Sequence, residues 1–243
     1  MNDDDKLPDI QEQYNLLNQM ENHFKNDLAL TPVIGAEIEF YVYDIQDISL
    51  LSQKINHKIK EEKGNNQYEI DLPPSQDLVD YTRYLIKIRK QIIKSSEELG
   101  GRADFSSKPF ANDYGNSMHI HLNFLEDDDA EKYAQILCHY LPETLRVFLP
   151  KKEDFLRLDS RFMAPTHISY GGNNRTTMIR IPDSLPKRLE HRLAAANANP
   201  VDIVYNMLLS IDKGLKNQRT ITNLQKTFGN GFDPQYALHK IEI

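Results

Sequence analysis

The sequence predicts an α+β fold, and three observations predict it. Short runs of strict apolar and polar alternation recur, as in Met118-His119-Ile120-His121-Leu122-Asn123-Phe124, and alternation is the mark of a half-buried strand. Between them lie stretches whose apolar residues fall at helical spacing. The chain has 243 residues, 40% of them hydrophobic and 27% charged, which is globular composition with enough length for a sizeable core.

In chain order, residues 9–27 place Ile10, Tyr14, Leu17, Met20 and Phe24 near helical spacing and predict an amphipathic helix. A strand follows, Gly35-Ala36-Glu37-Ile38-Glu39-Phe40-Tyr41-Val42-Tyr43, with Ile38, Phe40 and Val42 on one face and Glu37, Glu39 and Tyr41 on the other. Two carboxylates two residues apart repel each other. Alone, the pair suits either a solvated face or a cation held between them. A second apolar patch covers residues 50–59, and Gly64-Asn65-Asn66 reads as the turn of a hairpin whose arms present acids. A helix is expected over 76–99, stopped by Gly100-Gly101.

After the alternating strand at 118–124, the acidic residues 126–129 favour a helix N-terminus. That helix is expected to reach about Leu141, with Pro142 starting another short one. Residues 155–182 read as loop with one strand at 177–181, and they carry Arg157, Arg161, Arg175 and Arg180. Arg188, Glu190 and Arg192 share a face of the next alternating piece, and Asn199-Pro200 caps a helix carrying Val204, Met207, Leu208, Ile211 and Leu215. The last 25 or so residues give little signal.

A formal net charge of −7 argues against general nucleic-acid or anionic-membrane binding. The single cysteine, Cys138, rules out an internal disulfide and fits a reducing compartment, with cytoplasm the expectation. No apolar run approaches a membrane span, and the acidic N-terminus is no secretory signal.

If the polar faces of the alternating segments are neighbours, they form a wall of carboxylates, imidazoles and guanidinium groups. Such a donor set, without thiolates, suits Mg²⁺ or Mn²⁺, and arginines beside these ions suit phosphate. Neither a P-loop nor a Gly-x-Ser-x-Gly stretch occurs.

Taken in order, these residues match a family. Glu37-x-Glu39, Gly64-Asn65-Asn66-Gln67-Tyr68-Glu69, Lys108-Pro109, Gly115-Asn116-Ser117-Met118-His119-Ile120-His121, Asn174-Arg175, Arg180-Ile181-Pro182, Arg188-Leu189-Glu190-His191-Arg192 and Ala198-Asn199-Pro200 resemble glutamine synthetase. The resemblance implies a curved, mainly antiparallel sheet backed by helices. It divides the chain into an N-terminal helical extension, 1–33, and a catalytic-type domain, 34–243. It implies ATP and two Mg²⁺ or Mn²⁺ ions, Glu39, Glu61 and Glu69 holding one and Glu37, His119 and Glu190 the other.

By the same resemblance His121 contacts nucleotide, Arg157 and Arg192 hold the glutamate substrate, and Arg175, Arg180 and Arg188 face the phosphates. Arg157, Arg175 and Arg180 are thereby the expected catalytic residues. The implied reaction is phosphorylation of a side-chain carboxylate, followed by attack of ammonia or another amine. The implied partners are these small molecules and further copies of the chain, with the site between subunits.

There are departures from the family pattern. Only 36 residues precede Glu37 and they read as a helix, so the family's N-terminal β-grasp domain is expected to be absent. Counting back from Ala164-Pro165, the glutamate that closes the family's site falls on Met163, and the acid before the Asn-Pro step is Ala195. Besides a ligase, the same residues therefore admit a non-catalytic homologue that keeps the nucleotide and metal site.

Overall fold

The computed structural model describes residues 9–221 and 223–242, so the acidic run at residues 1–6 lies outside it. Helix α1 (Ile10–Asn26) leads into β1 (Pro32–Tyr43), the longest strand among the described residues. The apolar patch at 50–59, left without a type by its spacing, holds a short helix, α2 (Ile48–Ile55), capped by the Asp47 carboxylate on the Ser49 amide. The expected hairpin follows as β2 (Ile59–Glu61) and β3 (Gln67–Ser75), its turn closed by the Gln67 amide donating to the Gly64 carbonyl at 3.1 Å.

Helix α3 (Leu78–Glu98) starts at Asp77, which accepts from the Asp80 amide, and it leads to β4 (Arg102–Asp104) and β5 (Met118–Phe124). Helix α4 (Ala130–Phe148) runs unbroken through Pro142, where the sequence predicted a new helix. A proline removes one backbone donor. Here Leu137 and Leu141 before Phe148 are buried in the same core, and that shared burial keeps one helix intact. The strand expected at 177–181 narrows to β7 (Ile179–Arg180), preceded by β6 (Tyr170–Gly171) and followed by β8 (Leu189–His191). Asn199 caps α5 (Pro200–Lys216) by accepting from the Val201 amide.

The strands form one sheet in the order β2-β3-β1-β5-β8-β7-β6, with β4 also paired to β1. Only β6 and β7 run parallel among the pairs along this sheet. One face carries Ile34, Ile38 and Phe40 from β1, Ile70 and Leu72 from β3, and Ile120, Leu122 and Phe124 from β5. This face packs on Leu17 and Phe24 of α1, Leu85 and Ile88 of α3, Leu137 of α4 and Leu208 of α5 in a continuous core. Alternation then turns Glu37, Glu39, Glu69, His119, His121 and Glu190 to the opposite face. No helix among the described residues is long and apolar enough to cross a membrane.

Phe24 is fully buried and stacks on Phe124 with ring centroids 5.4 Å apart, which ties α1 into this core. Phe24→Ala is expected to cost about 3–5 kcal/mol in urea unfolding, whereas Leu50→Ala, at a side chain 48% exposed, stays within about 0.5 kcal/mol.

Candidate active and metal-binding site

β1 lies between β3 and β5, and its register decides which charges meet. Glu37 is paired with His119 across β5 and Glu39 with Glu69 across β3. β8 then sets Glu190 beside His121. Like charges placed opposite one another on a ladder destabilise it unless something neutralises them.

Two imidazoles and two guanidinium groups neutralise Glu37 and Glu190. His119 Nδ1 lies 3.2 Å from a Glu37 oxygen and 3.7 Å from Glu190 Oε1. His121 Nε2 lies 3.3 Å from the other Glu37 oxygen. Glu190, only 2% exposed, is held between Arg180 Nη1 at 2.6 Å and Arg192 Nε at 3.2 Å. Glu39 accepts from both the amide and the hydroxyl of Ser117, each at 2.7 Å, and that hydroxyl also lies 2.9 Å from His119 Nε2.

The titration behaviour follows from these contacts. Burial raises the Glu37 carboxyl, but hydrogen bonds to His119 and His121 outweigh it and hold the group well below the usual carboxylate range. Burial lowers His119, and Glu37, Glu39 and Glu190 together overcome this and raise it. Glu69 has no such partner: burial first, then the Glu37 charge, push it up to about 7. Burial drives Arg157 down to about 10, and its Nε has no hydrogen-bond partner.

Several of these groups, though not Glu190, His121 or Arg180, line a cavity of about 140 Å³. Glu37, Glu39, Glu69 and His119 line it from the strands, Arg157, Arg175 and Arg192 supply guanidinium groups, and Phe162, Met163 and Ala164 also line it. Donor atoms of Glu37, His119 and Glu190 lie within 4.8 Å of one another, and so do those of Glu39, Glu69 and His119. Carboxylates with one imidazole suit hard divalent ions. The crowding that raises Glu69 is what a cation would relieve, so the residues fit such ions.

A larger neighbouring cavity, about 580 Å³, shares Glu37 with the first and is lined by His121 and Arg188. Arg180 lines neither; its guanidinium is occupied by Glu190 and Asn173.

Glu61, expected beside Glu39 and Glu69, is not brought to this cavity. Across the hairpin Lys60 pairs with Glu69 and Glu61 with Tyr68, so Glu61 projects from the other face and is exposed. The next residue, Glu62, lies opposite Gln67 through the Glu62 amide and the Gln67 carbonyl, and it lines the cavity. Ser117, part of the motif at 115–121, carries no assigned role in the sequence. Its place two residues before His119 puts it on the same strand face, and that parity was the available signal.

Glu69 gives a pH test. Its carboxyl sits at about 7 in the fold against an ordinary 4.5, so the folded chain holds this proton more tightly than the unfolded one. Stability from this group is present at low pH and falls as pH rises from 4.5 through 7. With divalent cations chelated, Glu69→Gln is expected to match wild type in thermal unfolding near pH 4.5. At pH ~8 it should exceed wild type by about 3 kcal/mol.

Residues 49–235 match the family described as glutamine synthetase, catalytic domain. Gamma-glutamylputrescine synthetase of Escherichia coli is 25% identical over 292 residues, covering 97% of this chain and 61% of that protein. Glutamate–methylamine ligase of Methyloversatilis universalis is 30% identical over 166 residues, covering 59% of this chain and 37% of that protein. Glutamine synthetase of Pyrococcus furiosus is also 30% identical over 166 residues, covering 62% of this chain and 36% of that protein.

Among solved structures, a GmaS/ADP complex shares the fold with a TM-score of 0.80 at 21% identity, over 95% of this chain and 65% of that one. Glutamine synthetase of Plasmodium falciparum does so with 0.76 at 16% identity, over 90% and 58%. The chain thus spans about 61% of the Escherichia coli relative's length and less of the two other enzymes named beside it. With the catalytic-domain match extending over 49–235, the α+β chain belongs to the glutamine synthetase family.

Proposed function

We propose that this domain binds ATP and two divalent cations, Mg²⁺ or Mn²⁺, and joins an amine to a carboxylate such as that of glutamate. The observation that carries the reading is the convergence of two carboxylate–imidazole groups on His119, in a cavity whose next wall is arginine. Glu37, His119 and Glu190 would hold one ion, and Glu39, Glu69 and the neighbouring Glu62 the other. The ions would supply neutralisation of the phosphate oxygens during transfer.

The chain's own residues do the rest. Arg157 is anchored by donating to the Leu193 carbonyl at 2.8 Å, which leaves its unpartnered Nε for a substrate carboxylate. Arg192 supports the same wall while pairing with Glu190. Arg175, which lines the cavity, would face the transferring phosphoryl group, and Arg180, paired with Glu190, would keep that carboxylate ionised and in position. Ser117 fixes the Glu39 carboxylate with two donors. His121 and Arg188 line the larger cavity, which offers room for a nucleotide.

In the proposed reaction a carboxylate oxygen of the acid forms a bond to the terminal phosphorus of ATP, and ADP leaves. The amine nitrogen then forms the C–N bond as the acyl C–O bond breaks. Phosphate departs with that bonding pair. Of the two protons an ammonium must lose, one leaves on phosphate and one goes to solvent.

ADP release with glutamate, ATP, Mg²⁺ and a panel of amines tests this reading. Glu37→Ala and Arg175→Ala are each expected to lower the rate about a hundredfold or more, and Glu61→Ala to leave it within about twofold. ATP binding by calorimetry without ADP release under any condition would instead assign a non-catalytic nucleotide-binding role.

A further inference from the structure

We infer that Asn174 and Thr176 are positioning residues: they fasten the loop that bears Arg175 to residues 227–231 and thereby hold that guanidinium at the cavity. This rests on the ligase reading above, in which Arg175 faces the transferring phosphoryl group. Arg175 sits in the loop 172–178 between β6 and β7. Its side chain is exposed and lines both the inner cavity and an open outer one of about 830 Å³.

Among the described residues the Arg175 guanidinium makes no hydrogen bond or ion pair, and Arg157 and Arg192 line the inner cavity with it. Like charges repel, and the side chain by itself has nothing that opposes a swing into water. The backbone of the loop must therefore set its reach.

The Asn174 side chain spends all of its hydrogen-bonding capacity on that backbone. Its Nδ2 donates to the Thr227 carbonyl at 3.2 Å and to the Gly229 carbonyl at 2.8 Å. Its Oδ1 accepts from the Thr176 amide at 3.0 Å and the Thr176 hydroxyl at 2.6 Å. That hydroxyl in turn accepts from the Gly231 amide at 2.8 Å. The Thr227 amide donates to the Tyr170 carbonyl at 2.9 Å, and Arg192 Nη1 donates to the Arg175 carbonyl. The two segments lie very close: a Cβ at Gly171 would come within 2.8 Å of the Thr227 carbonyl oxygen, and one at Gly231 within 2.9 Å of that of Thr176.

An acid cannot replace this amide. Aspartate would still accept from the Thr176 amide, as in an Asx turn, but it would set a charge against two carbonyl oxygens and donate to neither. Removing the Thr176 hydroxyl breaks the same clamp one residue later, with the Asn174 amide left in place.

The test is ADP release by the full chain with glutamate, ATP, Mg²⁺ and the panel of amines. Asn174→Asp is expected to lower kcat by about 10- to 100-fold. ATP affinity by calorimetry should stay within about threefold of wild type, because an interaction realised in the transition state shows in kcat and little in binding. Thr176→Val is expected to lower kcat by about tenfold, and Thr176→Ser, which keeps the hydroxyl, to recover most of that loss. In an Arg175→Ala background, Asn174→Asp or Thr176→Val should lower kcat by no more than about twofold further, since each acts through the missing guanidinium. Should Asn174→Asp fail to fold, the Thr176 pair in the same two backgrounds decides. An undiminished loss in the Arg175→Ala background overturns this inference and leaves the ligase reading standing. So does a loss seen in ATP affinity with kcat unchanged, or wild-type kcat in Asn174→Asp and Thr176→Val alike. No ADP release by wild type with any amine overturns both.

Discussion

The register of β1 against its two neighbours is the constraint on which the site depends. It pairs Glu37 with His119 and Glu39 with Glu69, and it does so because the other face is apolar. Slipping either ladder by one residue would turn Ile38, Ile70 and Ile120, all essentially inaccessible to solvent, toward the charged cavity. Hydrophobic burial on one face therefore holds like charges together on the other. The fold places the repulsion, and the site's cations must balance it.

Part of that balance is internal. Glu190 is buried between two guanidinium groups, and Glu37 lies between two imidazoles. A buried charge keeps its ionised form only where such partners offset its desolvation. Glu69 shows the limit of this arrangement. With no close partner, the nearest cation being Lys60 at 4.0 Å, it yields to burial and the Glu37 charge. One carboxylate group is thus compensated from within, and the Glu69 carboxyl is left without a close cationic partner.

Much of this was legible in the sequence. Alternation at 35–43 and 118–124 gave the two strands and the side of each that bears charge, since period-two patterning needs no tertiary information. Of the arginines in the motifs, Arg180 and Arg192 pair with Glu190, while Arg188 lines the second cavity. What failed was parity across the hairpin. Glu61 and Glu62 are adjacent acids before a turn, and spacing alone cannot say which faces the cavity until the ladder places Lys60 opposite Glu69. Pro142 misled for a related reason. Its local signal is a helix boundary, while the burial that overrides it comes from distant elements. The segment 160–164 was illegible as structure because a single 3₁₀ turn has no periodicity to detect.

Glu61 acquires a different significance from its displaced position. β2 is three residues long and forms one end of the sheet, so no further strand covers its outer edge among the described residues. An exposed edge strand invites pairing with another chain, and proteins discourage this with short strands bearing charge. Lys60 and Glu61, both exposed, give this edge that character. The carboxylate turned away from the cavity thus puts charge on an open strand edge, where charge disfavours edge-to-edge pairing.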